Sequence, residues 1–183
     1  MVSTEHIIKH TQNWVKDVIV KYNICPFARR EVERGSIRYC VAEERNKAEV
    51  LQTLLDECHY LDEHSEVETS LFIMPIGFEG FYDFLDLVEL ANELLELEDY
   101  EGVYQLANFH PDYCFAGEPQ SEPSNYTNRS PYPTLHIIRE ISMELAIKNH
   151  PDVGAIPERN IAFANKKGNA FFADLLASCM LNK

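Results

Sequence analysis

The chain is expected to fold as an α/β (or α+β) protein, and three observations lead there. Short runs at 36–42, 70–76 and 103–109 carry the β-branched and aromatic content of strands. Long segments of helical period, at about 47–64 and 81–97, stand between them. Strands separated by helices of that length require crossover connections, which favour parallel pairing in a βαβαβ core. A ferredoxin-like sheet with an antiparallel pairing is the alternative. The expected sheet has three or four strands, with an N-terminal helix and two or three C-terminal helices packed on it. A chain of 183 residues suits one domain, 1–183, with a sizeable core.

Each element has its own local reason. Ser3 or Thr4 caps a first helix whose apolar face runs through Ile7, Thr11, Trp14, Val18 and Tyr22. That helix stops near Asn23, a residue that tolerates the left-handed conformation of a C-terminal cap, with Pro26 soon after. Cys25 then lies just beyond the helix end, close to Arg29 and Arg30. At 36–42, Ile37, Tyr39 and Val41 alternate with Arg38, Cys40 and Ala42, as in a half-buried strand near an edge. Asn46 and Glu49 form a capping-box-like pair before the next helix. The run at 70–76 is apolar on both faces, so it is expected at the centre of the sheet. At 81–97, Phe84, Val88, Ala91 and Leu95 oppose Asp83, Asp86, Glu89, Glu93 and Glu96.

After the strand at 103–109 come about two dozen residues without a hydrophobic period. A loop that long in a compact domain is functional or disordered. Phe109, Tyr113, Phe115, Tyr126 and Tyr132 argue for order, since aromatic side chains pack. From Thr134, as N-cap, Leu135, Ile138, Ser142 and Leu145 repeat with helical period. His136 and Arg139 are thereby expected on one face of a helix, with Glu140 beside them. Pro157 opens a helix to Lys167, Gly168 ends it, and Asn169 caps a closing helix.

Charge narrows the function. The net charge of −14 divides into +3 over 1–47, −19 over 48–128 and +2 over 129–183. The middle stretch contains no Lys or Arg, a balance that repels nucleic acid and anionic lipid. The expectation is therefore no nucleic-acid or membrane partner. No run approaches the roughly 20 apolar residues of a membrane span, and the N-terminus lacks the pattern of a signal peptide, so a cytoplasmic protein is expected. Five cysteines without a Cys-x-x-Cys pair suggest neither a disulfide framework nor a zinc ribbon. No Gly-rich phosphate loop points to a nucleotide cofactor.

Four stretches carry a wider resemblance: NICPF at 23–27, FHPDYCFAG at 109–117, NYTNRSPYPTLHIIRE at 125–140 and IPERN at 156–160. Together they are similar to a bacterial family known as domain of unknown function 1415, over essentially the whole chain. The resemblance implies a shared fold and site but no activity. It places the family's motif residues on Cys25, His110, Asn125, Asn128, Arg129, His136, Arg139, Glu140, Glu158, Arg159 and Asn160. Cys114 falls where the family pattern often lacks cysteine.

The residues themselves suggest a site for a small anionic metabolite, a carboxylate or phosphate, at the end of the third strand. Arg129 and Arg139 would clamp it, with Arg159, Asn125, Asn128, Glu140 and Asn160 as further binding residues. His110, His136 and Cys25 are the candidate catalytic groups, the histidines for proton transfer and the thiol as nucleophile. Each has a plainer structural reading. Arg139 can pair with an acid, His110 can bond backbone at a strand end, His136 can cap or fill the core, Cys25 can be a small buried hydrophobe, and both asparagines can shape their own loop. A metal site from His110, His136 and Cys25 is one alternative, although the spacing matches no template. A non-catalytic ligand-binding or partner-docking protein, using the acidic helix 81–97, is another.

Overall fold

The computed structural model describes residues 2–181. Among these, one four-stranded sheet is covered by helices on both faces. In chain order the elements are α1 (Thr4–Trp14), α2 (Ala28–Arg34), β1 (Ile37–Val41), α3 (Lys47–Glu63), β2 (Thr69–Ile73), α4 (Phe81–Leu97), β3 (Tyr104–Phe109), β4 (Thr134–Arg139), α5 (Glu140–Asn149), α6 (Ile156–Lys167) and α7 (Asn169–Cys179). The local signals act as their chemistry dictates. The Ser3 side chain accepts from the His6 N–H, and Asn46 Oδ1 accepts from Glu49 N–H at 2.9 Å. Asn23 takes a positive φ of 55° where the first helix ends. Before that end, Val15–Val20 winds as a π-helix, an irregularity frequent beside functional sites.

The strand order is β1-β2-β4-β3. β1 and β2 pair in parallel through α3, as expected of a crossover unit. β3 does not pair with β2, because β4 runs antiparallel between them and bonds both. The stretch expected to start a helix at Thr134 is therefore a strand through Arg139, and the helix begins only at Glu140. The reason is tertiary. Leu135 and Ile137 point into one core, while β2 and β3 each offer β4 an otherwise unpaired edge. A second, smaller correction is that Gly168, at φ 78°, both ends α6 and occupies the cap position of α7. Asn169 is already helical, and its side chain donates to the Ser121 carbonyl.

Two apolar cores lie on opposite faces of the sheet. On one face, α3 and α4 bring Val50, Leu54, Leu61, Phe84, Leu87 and Ala91 against Phe72, Leu135 and Ile137. The acidic positions of α4 stay on its exposed side. On the other face, Ile7, Trp14, Val18, Ile19 and Cys179 cover Leu71 and Ile73. Successive strand residues alternate between these faces, so Thr69, Leu71, His136 and Ile138 share the second one. No helix of the described residues is long and apolar enough to cross a membrane.

Candidate functional site

The second face is only partly covered. Between the sheet, the 23–30 segment and α5 lies a cavity of about 670 Å3, within the size range of small-molecule sites. Its floor is formed by Leu71, Phe109, His136 and Ile138, and one wall by Trp14, Val15 and Ile19. Cys25, Asn128 and Asn160 also line it, with Arg30, Arg34 and His150 among the charged or titratable residues that do so.

His136 is the polar centre of the floor. The Thr69 hydroxyl donates to the Ile137 carbonyl, so its oxygen is left to accept the Nε2–H of His136 at 2.7 Å. That arrangement selects the Nε2–H tautomer and leaves Nδ1 as a lone-pair acceptor, with no hydrogen bond to any described residue. Burial in an apolar floor pushes the imidazole down to about 4, so it is neutral at physiological pH. Beside it, Phe109 sits with ring centroids 6.5 Å apart, and Trp14 meets Phe109 edge-to-face at 5.0 Å.

Cys25 reaches the same cavity from the loop before α2. Burial pushes its thiol upward, opposed by the backbone N–H groups of Phe27 and Ala28. The loop is held from a distant part of the chain. Arg159 donates to the Asn23 carbonyl at 2.7 Å, and Asn160 Nδ2 donates to the Ile24 carbonyl at 2.8 Å. The first turn of α6 thus fixes the backbone that carries Cys25. These two contacts join stretches 136 residues apart.

Cys25, Asn128, His136 and Asn160 are therefore brought together, whereas the other candidates stand elsewhere. His110 is fully buried between Phe81 and Phe84, each ring 5.2 Å away. Its Nε2–H donates to the Phe78 carbonyl at 3.0 Å and its Nδ1 accepts from Asp112 N–H at 3.0 Å, so both nitrogens are committed. Burial lowers its pKa. Asn125, also fully buried, accepts from Phe115 N–H and donates to the Pro119 carbonyl, which shapes its own loop.

The expected clamp arginines do not converge. Arg129 precedes β4 and Arg139 ends it, so a strand about 17–20 Å long lies between them. Arg129 donates to the carbonyls of Tyr113 and Gln120 and lies over the Tyr126 ring. Arg139 donates to the carbonyls of Leu61, His64 and Val67, tying down the end of α3. A guanidinium with five N–H donors is well suited to such carbonyl clusters. Arg139 also points away from His136, because residues three apart on a strand face opposite sides. Glu140 opens α5, where its backbone N–H donates to the Val103 carbonyl. Among the described residues no three His, Cys, Asp or Glu side chains group as metal ligands.

Thr69 and Arg34 are cavity groups that the sequence did not single out, while Arg30 was noted only as a neighbour of Cys25 and Ser142 and Leu145 only as part of a helical period. Thr69 precedes an apolar run and looks like any strand-opening residue; only its pairing opposite Ile138 sets it beside His136.

A family model matches residues 6–174, and its description reads protein of unknown function, DUF1415. The chain belongs to that family. No curated protein and no solved structure matches it.

Proposed function

From that membership and the geometry of the cavity, we propose that the protein is a cytoplasmic enzyme acting on a small anionic metabolite bound against the sheet. One observation carries the reading. Four residues from three separate motif stretches, Cys25 from 23–27, Asn128 and His136 from 125–140 and Asn160 from 156–160, line one cavity. Cys25 is the nucleophile of this reading, and His136 Nδ1 receives its proton. The sulfur bonds to an electrophilic carbon of the metabolite, the S–H proton passes to the imidazole, and the displaced electron pair rests on the metabolite's oxygen. His110 has no part in this scheme, since both of its nitrogens are already used.

The anionic end is assigned to Arg30 and Arg34, which line the cavity and are largely exposed, with side-chain accessibilities of 77% and 51%. Their contacts with Glu31, at 3.8 and 3.7 Å, are long, and the arginine ends are exposed while the Glu31 carboxylate, 17% accessible, also accepts from the Ser36 hydroxyl; pairs with so exposed a partner contribute about 0–1 kcal/mol. An entering carboxylate or phosphate can replace them at little cost. Arg129, Arg139 and Arg159 are spoken for by backbone carbonyls.

A non-catalytic binding protein is the second reading. It is favoured by the neutral state of both groups, a protonated thiol and an unprotonated imidazole lining one cavity. A thermal-shift screen of small carboxylates and phosphates separates the readings. A ligand at about 100 times its dissociation constant adds roughly 2.7 kcal/mol, which raises Tm by about 5–10 °C in a chain of this size. The expected hit loses its shift in the Arg30→Gln/Arg34→Gln double variant. It keeps the shift in Cys25→Ser while any turnover disappears. A hit indifferent to both variants would sink the proposal.

A further inference from the structure

The ligand of this cavity, we infer, has an apolar body that completes the missing packing of α5. This rests on the cavity being a ligand site, as proposed above, and adds the chemical class of what enters it. None of the ten residues of α5 is buried, and among the described residues none of its side chains belongs to either apolar core. Ile141 is 69% exposed and Leu145 is 56% exposed. A helix of this length is marginal in water and depends on burying an apolar face. Yet α5 turns Met143, Leu145 and Ala146 toward the cavity, whose floor is Leu71, Phe109 and Ile138. The helix is a roof held off the sheet by the space beneath it.

Two facing apolar walls select an apolar body, because a polar surface between them loses its hydrogen bonds to water without replacement. Polar atoms of the ligand are directed to the polar part of the lining, at His136, Cys25, Asn128 and Asn160, and to the arginine-bearing mouth. At the edge of the roof, the ring of His150, just after α5, meets Phe27 at 5.7 Å; both residues line the cavity. That contact links the roof to the loop carrying Cys25. Filling the cavity therefore orders α5 and the loop together.

The test uses a homologous series of probes, ethanol, butanol, hexanol and octanol, with hydrogen exchange read at 140–149 in the full chain. Affinity is expected to tighten about fourfold per added methylene, the increment for burying one in an apolar site. Saturating octanol is expected to slow exchange across α5 at least tenfold. Leu145→Asp and Met143→Asp should each abolish that slowing; Leu145 in particular is exposed enough to change without unfolding the chain. Affinity independent of chain length, no octanol binding, or binding that leaves 140–149 unprotected would each overturn the inference. Octanol carries no electrophile and no charge. Protection that persists in Cys25→Ser and in Arg30→Gln/Arg34→Gln supports the apolar site even if the thiol chemistry proposed above fails.

Discussion

Thr69 Oγ1 stands 2.7 Å from His136 Nε2 while giving its own proton to the Ile137 carbonyl. One hydroxyl thereby sets the tautomer of the imidazole and leaves Nδ1 as the nitrogen without a proton. Thr69→Val keeps the shape and removes the acceptor, leaving a buried ring N–H without a partner. The expected loss is about 1–3 kcal/mol, the usual cost of such an orphan. Denaturant unfolding measures it. An unchanged midpoint would mean that the hydroxyl is dispensable.

The same histidine makes stability depend on pH in a defined window. Its folded pKa is about 4, below the ordinary value near 6.5. Between those values the unfolded chain binds the proton and the folded chain does not, so stability rises with pH across the window and is flat above it. The contribution is full above about 6.5 and shrinks as the pH falls, by up to roughly 3 kcal/mol. His136→Gln retains a donor toward Thr69 but cannot titrate. The difference between wild type and variant, followed from pH 7 to pH 4, is expected to carry this slope. Parallel curves would refute it.

Arg139 distinguishes structure from ligand binding. Its guanidinium holds three carbonyls at the end of α3, at Leu61, His64 and Val67. Arg139→Ala should cost about 2–4 kcal/mol, since bonds to charged groups are the stronger kind and the carbonyls lose their partner. Ligand affinity should be unaltered. A variant of normal stability with weakened anion binding would restore the clamp suggested by the sequence.

Cys25 should be a slow thiol. Burial holds its proton on, so site-resolved alkylation by iodoacetamide at pH 7 is expected to be slow and to accelerate with pH beyond the ordinary thiol range. Asn160→Ala releases the Ile24 carbonyl and should loosen the loop, raising the alkylation rate at Cys25 several-fold. It should also lower stability by about 1 kcal/mol. Fast alkylation of the wild-type thiol at neutral pH would contradict this account.

His110 offers the control. With both nitrogens bonded and the ring enclosed by Phe81 and Phe84, His110→Ala should destabilise by about 2–4 kcal/mol through lost packing and an unpaired Phe78 carbonyl. Because it lies outside the cavity lining, ligand affinity in the folded fraction should not change. Binding followed by calorimetry below the melting transition checks this.

Local chemistry was enough to determine much of this protein. Ser3, Asn46 and Asn23 mark helix ends because their side chains or backbone freedom satisfy terminal groups within a few residues. The apolar run around 70–73 announced a buried central strand for the same reason, since it has no polar face to turn outward. Residues 134–139 carried no such instruction. TLHIIR joins smoothly to the helical period of 140–149, and six residues cannot separate a period of 2 from one of 3.6. Only the unpaired edges of β2 and β3 make it a strand, and those partners lie far away in the chain. Once it is a strand, alternation sends His136 to one face and Arg139 to the other, which separates the imagined clamp from the imidazole. The motif stretches named the residues worth watching. Which of them share a cavity was decided by long-range contacts, such as Asn160 on Ile24 and Thr69 on His136, that no local pattern encodes.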